Sequence, residues 1–316
     1  MKAAVLQSIG SIPIYTDFPE PTSSTDEQIL VNVKASSIKQ LDLHKAAGKH
    51  YTHHASLPVV VGMDGVAILP DGQRIYAMGL SGMMAEKAIV QSGRWINVPD
   101  GLSDELAAAL PNFLVGSDVA LRVKGEVKPG DIVFVNGATG ATGMMAVQMA
   151  KYHQASTVIA TGRNPQALEQ LKSLGADITI SLDQPESDII ADITKAYKDH
   201  PFNIVIDYLW GRPAAMILEA LAALPSATET KMITVGEMAG HELLLKSSSL
   251  RSRNIVLLGS GMGSFSPQVL ADYLQHTLPE IFAYAATGKL VTEFECYPLA
   301  DVADAWLQQK GIVILI

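Results

Sequence analysis

Along the chain the spacing of apolar and polar positions changes character once, near residue 131. Before that point, short apolar and β-branched runs at 2–6, 29–35, 59–61, 66–69 and 74–77 are broken by Gly, Pro and Asp turns. This spacing predicts a β-rich module. After it come IVFV at 132–135, VIAT at 158–161, ITIS at 178–181, IVID at 204–207, ITV at 233–235 and IVLL at 255–258, alternating with helical stretches. Strands that alternate with helices in this way predict an α/β fold with a doubly wound parallel six-stranded sheet. Residues 266–287 read as helical, and residues 291–316 return to short apolar runs that end in IVILI. The return predicts that the last stretch folds back onto the first module, so that the parallel sheet is inserted in a discontinuous domain. The expected division is 1–115 with 265–316, and 116–264.

Composition narrows the class of protein. A chain of 316 residues with 48% hydrophobic and 17% charged residues is expected to fold throughout and to build two cores. A net charge of -9 without a Lys/Arg cluster excludes a nucleic-acid partner, which needs a concentrated positive footprint. The opening MKAAVLQSIGSIPIY has no long apolar core or small-residue cleavage site, and no apolar run approaches the roughly 18 residues of a membrane span. A soluble cytoplasmic protein without a membrane partner is expected. The single cysteine, Cys296, can form no internal disulfide, in keeping with a reducing compartment.

The strongest motif is DIVFVNGATGATGMMAVQMAK at 131–151, an apolar strand running into Gly137, Gly140 and Gly143 and then into a helix. Small residues at such a turn, here Ala138, Thr139, Ala141 and Thr142 besides the glycines, let helix-start N–H groups approach a pyrophosphate, and the helix dipole adds partial positive charge. Gly143 is expected to let the helix pack closely on the strand. With a second strand about 20 residues on, the pattern is that of a Rossmann dinucleotide-binding unit. In NAD-binding units an Asp or Glu at the end of that second strand accepts from the ribose 2′-OH; here the stretch is Thr161, Gly162, Arg163, Asn164. Arg163 can pair with a 2′-phosphate and Thr161 or Asn164 can donate to it, which points to NADPH. Asn164 is also expected to cap the helix begun by Pro165. Asp207 and Tyr208, and later Val235, Gly236, Leu258, Gly259 and Ser260, stand at the carboxyl ends of strands, where such sheets bind ligands, and complete the expected cofactor site. Met144 and Met145 are expected to pack in the core.

With these residues in hand, the chain resembles the medium-chain dehydrogenase/reductase superfamily, in its zinc-free quinone oxidoreductase-like branch. The likeness runs through MKAAVL, ASSIKQLD at 35–42, LPVVVGMDGV at 57–66, GATGATG, LKSLGAD at 171–177, NIVIDYLWG at 203–211 and YPLADVADAW. It implies a GroES-like barrel domain carrying both termini, a Rossmann domain, an active site in the cleft between them, and often a homodimer. Zinc-dependent members would have a Cys near Ser37, Gly-His-Glu where this chain has Gly62, Met63 and Asp64, and a four-cysteine lobe near 80–100; a thioether and one carboxylate do not replace that set. Quinone reductases often carry Asn-Pro just before the matched Asp42, where this chain has Lys39 and Gln40, and the stretch from Val66 to Met78 is abbreviated.

Chemistry without a metal needs donors. Hydride addition to a quinone or an α,β-unsaturated carbonyl leaves an oxyanion, for which Lys39, Tyr51 and Asn112 are the candidate donors, with Asp42 beside Lys39. Lys39 and Asp42, three residues apart after a strand, read first as a surface ion pair, and Tyr51 reads as readily as a partly buried core tyrosine. His44, His50, His53 and His54 invite a metal reading, but adjacent residues of an extended segment point apart and no Cys supports them, so no metal is expected. Three functions stay open: an NADPH-dependent quinone or enone reductase, an enoyl-thioester reductase, and a low-turnover NADPH-binding redox sensor. The edge position of 255–258 suggests a homodimer.

Overall fold

A computed structural model describes the whole chain except residues 50–55, 227 and 309–310 and the side chain of Met262. Tyr51, His50, His53 and His54 therefore lie outside the described residues. The chain forms two compact units, Met1–Asn112 with Pro267–Ile316, and Phe113–Ser266.

In the first unit the strand Gln28–Ile38 is long enough to serve several neighbours. It pairs antiparallel with Asp64–Ile68, which pairs with Arg74–Gly79, which pairs with Lys87–Asn97, and that strand returns to pair with residues 28–32. The ring closes, so these four strands leave few unpaired backbone groups. Val31 and Val33 face inward while Leu30, Asn32 and Lys34 face out, the alternation of a sheet with one buried face. A bulge between Val33 and Ala35 ends that alternation. From Ala35 to Ile38 every residue is buried, and Ile312–Leu315 pairs antiparallel along this stretch. The expected return of the chain's last segment to the first module is thus a strand pairing. Helix in 266–287 is present as Pro267–Asp272 and Leu278–Ala285, joined by a wider π-type turn at Tyr273–Thr277.

Two glycines fix how Asp64 is held. Gly62 has φ +94°, a conformation costly for a side chain, and a Cβ on Gly65 would lie 2.4 Å from the Ala35 carbonyl oxygen. The Asp64–Ile68 strand can lie this close to Gln28–Ile38 only without a side chain at 65.

The second unit carries six parallel strands in the order Ile178–Ser181, Thr157–Gly162, Ile132–Asn136, Ile204–Asp207, Thr230–Thr234, Ile255–Gly259. The strand expected at 233–235 begins earlier, and Val235 already lies beyond it. Phe134, Ile159, Val205 and Met232 from the sheet pack with Ile189, Ile193, Ile217 and Leu221 from helices Glu186–Asp199 and Gly211–Ala222. Strand order reverses between Ile132–Asn136 and Ile204–Asp207, so the connections diverge there and leave a crevice outside the carboxyl ends. One helix among the described residues, Asp104–Gly125, is long and apolar enough to cross a membrane by length and composition; 67% of its apolar window is buried, the behaviour of a core helix.

Replacing Gly65 by Ala forces the Ala35 carbonyl to move. Gly65→Ala is expected to lower stability by about 1–3 kcal/mol, read as a fall in the urea midpoint with the slope unchanged.

Candidate functional site

The carboxyl ends of three adjacent strands in the second unit are joined by a buried polar chain. Asn136 Nδ2 donates to Asp207 Oδ1 at 2.8 Å, Thr161 Oγ1 donates to Asn136 Oδ1 at 2.8 Å, and the Gly137 N–H donates to Thr161 Oγ1 at 3.0 Å. Asp207 also accepts from the N–H groups of Leu209 and Trp210, at 3.0 and 3.1 Å. Burial lifts the Asp207 carboxyl above the usual carboxylate range, against the pull of Asn136, Leu209 and Trp210. These bonds hold Trp210 at φ +54°, just before helix Gly211–Ala222. A non-glycine residue is strained there by about 1–3 kcal/mol.

This chain corrects three expectations. Thr161 is fully buried with its proton committed to Asn136, so it supports the glycine turn from below rather than donating to a phosphate. Asp207 faces inward and braces the turn. Tyr208 is buried too, with its hydroxyl 2.7 Å from Ser117 Oγ, and burial raises its pKa, keeping the phenol protonated.

The turn leaves the helix start after it open. Helix Ala141–Tyr152 has Gly140 as its N-cap, which offers no side-chain acceptor to the first-turn N–H groups. A Cβ on Gly140 would meet nothing within 4 Å, so this face of the turn is open. A Cβ on Gly143 would lie 2.6 Å from both Ala138 Cα and the Gly137 carbonyl oxygen, so Gly143 packs the helix start onto the turn itself rather than onto the strand. Ala138 is buried, with its N–H on the Thr161 carbonyl at 2.7 Å, and a Cβ on Gly162 would meet the Thr139 side chain at 2.2 Å. Met145 is in the core and Met144 is partly buried. Arg163 is exposed and meets no carboxylate among the described residues. Asn164 Oδ1 accepts from the Ala167 N–H at 3.0 Å and caps helix Pro165–Ser173 as expected.

Beyond the later strands, the Val235 and Gly236 N–H groups donate to the Asp207 carbonyl and the Ser260 N–H to the Thr234 carbonyl. Leu258 is partly buried, Gly259 is exposed, and the buried Ser260 hydroxyl has no partner among the described residues. A buried hydroxyl at the carboxyl end of its strand, without a partner among the described residues, fits a site completed by a polar ligand.

In the first unit, Lys39 and Asp42 are neither a surface pair nor partners through their side chains. The Lys39 N–H donates to Asp42 Oδ2 at 3.0 Å at the start of helix Gln40–Ala46, and the Lys39 ammonium bonds Asp64 Oδ2. Lys39 Nζ also lies 3.4 Å from Tyr76 Oη. Asp64 Oδ1 is buried without a donor among the described residues. Asn112 Nδ2 lies 3.4 Å from the Ile38 carbonyl oxygen, one residue from Lys39, so Lys39, Asp42 and Asn112 gather at the end of one strand. Among the described residues no group of three or more His, Cys, Asp or Glu side chains could hold a metal ion.

Sequence reasoning passed over Asn136, Asp64, Tyr76 and Ser117. Asn136 had one signal, a polar residue closing an otherwise apolar strand. Tyr76, in RIYAM, had none.

Burial first, then the Asp64 charge, pushes the Asp42 carboxyl up to about 7, against the Lys39 N–H, Lys39 and Lys45. A carboxyl whose folded pKa is raised holds its proton longer in the folded state. Stability therefore falls as pH rises from the unfolded value through about 7 and levels off above it. Asp42→Asn keeps the acceptor and removes the titration. Its stability relative to wild type is expected to rise between pH 5 and pH 8, by on the order of a few kcal/mol, measured by urea unfolding at each pH.

The comparisons with known proteins agree with this geometry. The family model described as zinc-binding dehydrogenase matches residues 141–278. A probable NADPH-dependent quinone reductase of Emericella nidulans is 30% identical over 362 aligned positions, covering 100% of this chain and 99% of the relative. Quinone oxidoreductase-like protein 2 of Bos taurus is 25% identical, covering 93% of this chain and 85% of its own. Among solved structures, a quinone oxidoreductase from Thermus thermophilus, also solved with NADPH, superposes with a TM-score of 0.74 at 24% identity, covering 100% of both chains. A mycobacterial quinone oxidoreductase superposes with a TM-score of 0.83 at 19% identity, again covering 100% of both. Full-length likeness to the Emericella relative, together with the two-unit fold and the glycine turn, places this chain in the quinone oxidoreductase-like branch of the medium-chain dehydrogenase/reductase superfamily, as an oxidoreductase.

Proposed function

We propose that the protein is an NADPH-dependent, zinc-independent reductase of quinones or α,β-unsaturated carbonyls. The observation that carries this reading is the glycine-capped helix start with its open face at Gly140, together with an exposed Arg163 that meets no carboxylate among the described residues. The first-turn N–H groups of Ala141, Thr142 and Gly143 would hold the pyrophosphate, and Arg163 with Asn164 the 2′-phosphate. Val235, Gly236, Leu258, Gly259 and the unpartnered Ser260 hydroxyl would meet the rest of the cofactor. When bound, the reduced nicotinamide supplies hydride. The Emericella relative's name and the NADPH complex of the Thermus enzyme accord with this cofactor.

Catalytic zinc does not fit the residues present. Where zinc-dependent relatives would place His and Glu stand Met63 and Asp64, and the Lys39 ammonium already occupies Asp64. Protein donors therefore take the electrophilic role: the Lys39 ammonium and the Asn112 amide, with Asp42 bracing the Lys39 backbone. Ile255–Gly259 is the edge strand of its sheet and only partly buried, which supports a homodimer formed there; light scattering is expected to give twice the 33.7 kDa chain mass.

The test is NADPH oxidation followed by absorbance, with 1,4-benzoquinone, 9,10-phenanthrenequinone and a short enone, with and without chelator. Chelator-insensitive turnover is expected. Arg163→Glu is expected to weaken NADPH binding by about tenfold or more while sparing NADH. Gly140→Val is expected to weaken both cofactors and leave the unfolding midpoint unchanged, because its side chain fills only open space. Equal use of NADH by wild type would remove the Arg163 argument. Tight NADPH binding without turnover would mark a sensor.

A further inference from the structure

Within the first unit, four titratable side chains meet at one place. Lys39 follows the end of strand Gln28–Ile38, Asp42 belongs to the short helix after it, Asp64 opens Asp64–Ile68, and Tyr76 lies in Arg74–Gly79. Asp42, Asp64 and Tyr76 are buried, with the Asp64 side chain only 4% exposed, whereas the Lys39 side chain keeps 14% of its surface in solvent.

The groups around the Lys39 ammonium suit a cation. Asp64 Oδ2 accepts from it, the Tyr76 hydroxyl oxygen is 3.4 Å away, and the Tyr76 ring centroid is 5.9 Å away, within range of a cation–π contact. The second Asp64 oxygen is buried without a donor among the described residues, and the Ser36 hydroxyl donates to the Asp64 backbone carbonyl, at 2.7 Å, rather than to the carboxylate. After burial itself, the Asp64 charge is what lifts the Asp42 carboxyl, so a second acid there already resists ionising. Buried negative charge of this kind is stable only beside a positive one.

The kind of cation follows from the acceptors. Zinc takes a tetrahedral set of nitrogen, sulfur or carboxylate ligands, and calcium a larger shell of oxygens. No third His, Cys, Asp or Glu joins Asp42 and Asp64 among the described residues. A carboxylate oxygen, a phenol oxygen and an aromatic ring match instead the N–H groups and diffuse charge of an ammonium ion.

We infer that the first unit contains a buried site for a primary ammonium ion, which the chain fills with its own Lys39 side chain and which a free alkylammonium fills when that side chain is cut short. The Lys39 backbone is pinned, because its N–H donates to Asp42 Oδ2 at 3.0 Å and its carbonyl accepts from the Leu43 N–H at 3.1 Å. The ammonium is thus delivered on a tether from a fixed point, and a tethered group meets its site at a far higher effective concentration than a free ion does. Truncation to alanine removes a short methylene stem and the ammonium, which together have the skeleton of n-propylammonium. The partly exposed path of the missing stem is the way in. Filled either way, the site ties the end of Gln28–Ile38 to Asp64–Ile68 and Arg74–Gly79 without a metal. None of this depends on the reaction proposed above.

The experiment follows the thermal unfolding midpoints of wild type, Lys39→Ala, Asp64→Asn and the double variant Lys39→Ala/Asp64→Asn. Each is measured with n-propylammonium chloride, with n-propanol as the neutral isostere, and with sodium chloride at the same ionic strength. Lys39→Ala is expected to unfold below wild type and to regain roughly 5 °C as n-propylammonium saturates it, with no gain from n-propanol or sodium chloride. Wild type, its site already filled, is expected to show no gain from the amine. Asp64→Asn is expected to lose less than Lys39→Ala, because an unpaired ammonium on a long stem turns to solvent whereas an unpaired carboxylate stays buried. The double variant is expected to unfold above Lys39→Ala and not to respond to the amine. If Lys39→Ala does not fold in plain buffer, n-propylammonium present during refolding is expected to restore a cooperative transition that n-propanol does not. A Lys39→Ala midpoint equal to that of wild type, or one that n-propylammonium moves no further than n-propanol does, overturns the inference. So does a double variant no more stable than Lys39→Ala.

Discussion

Three hydrogen bonds, two between side chains and one from a glycine N–H, govern the shape of the second unit. Asp207, Asn136 and Thr161 end three neighbouring parallel strands, and each bonds the next across the sheet, up to the N–H of Gly137. Parallel strands leave their last polar groups facing a crevice, where nothing in the regular ladder satisfies them. Here the side chains satisfy one another, and what remains of Asp207 takes the N–H groups of Leu209 and Trp210. One buried carboxylate thereby fixes the glycine turn on one side of the crevice and the start of helix Gly211–Ala222 on the other. Loss of any member would leave a buried polar atom unmatched, which costs more than the bond itself is worth.

Two of the buried carboxylates, Asp207 and Asp64, are stabilised in opposite ways. Asp207 is surrounded by neutral donors, an amide and backbone N–H groups, and its role ends in holding backbone in place. Asp64 is held by the Lys39 ammonium, on a side chain that still reaches solvent, and has one oxygen without a donor among the described residues. Dipoles that cannot leave make a scaffold, whereas a charge on a four-carbon stem retains freedom to act. This difference separates a carboxylate held by fixed dipoles in the second unit from one held by a cation in the first.

How much of this was legible depends on range. The strand runs, the glycine spacing and the Asn164 cap are local, and the sequence displays them in windows of a few residues. The absence of a carboxylate at Arg163 was equally local. By contrast, Thr161 meets Asn136 across 25 positions and Asp207 meets it across 71, so a polar residue at a strand end reads as a ligand contact until its partner is known. Lys39 and Asp42 looked like a pair because they are three residues apart, whereas the partner that captures the ammonium lies 25 positions on, brought there by glycines at 62 and 65 that leave room for it. Apolar pattern marks which residues are inside. It does not mark which of the inside polar residues face each other.

The pairing of Ile312–Leu315 with Ile38–Ala35 bears on how the protein is made. During synthesis the whole of Phe113–Ser266 leaves the ribosome before that strand exists, while Gln28–Ile38 has already emerged without its neighbour. The dinucleotide unit is contiguous and can mature on the nascent chain, but the first unit must wait with one long strand partly unpaired. Any chaperone that attends this protein at birth has its natural client in that interval, at the stretch that ends in Lys39.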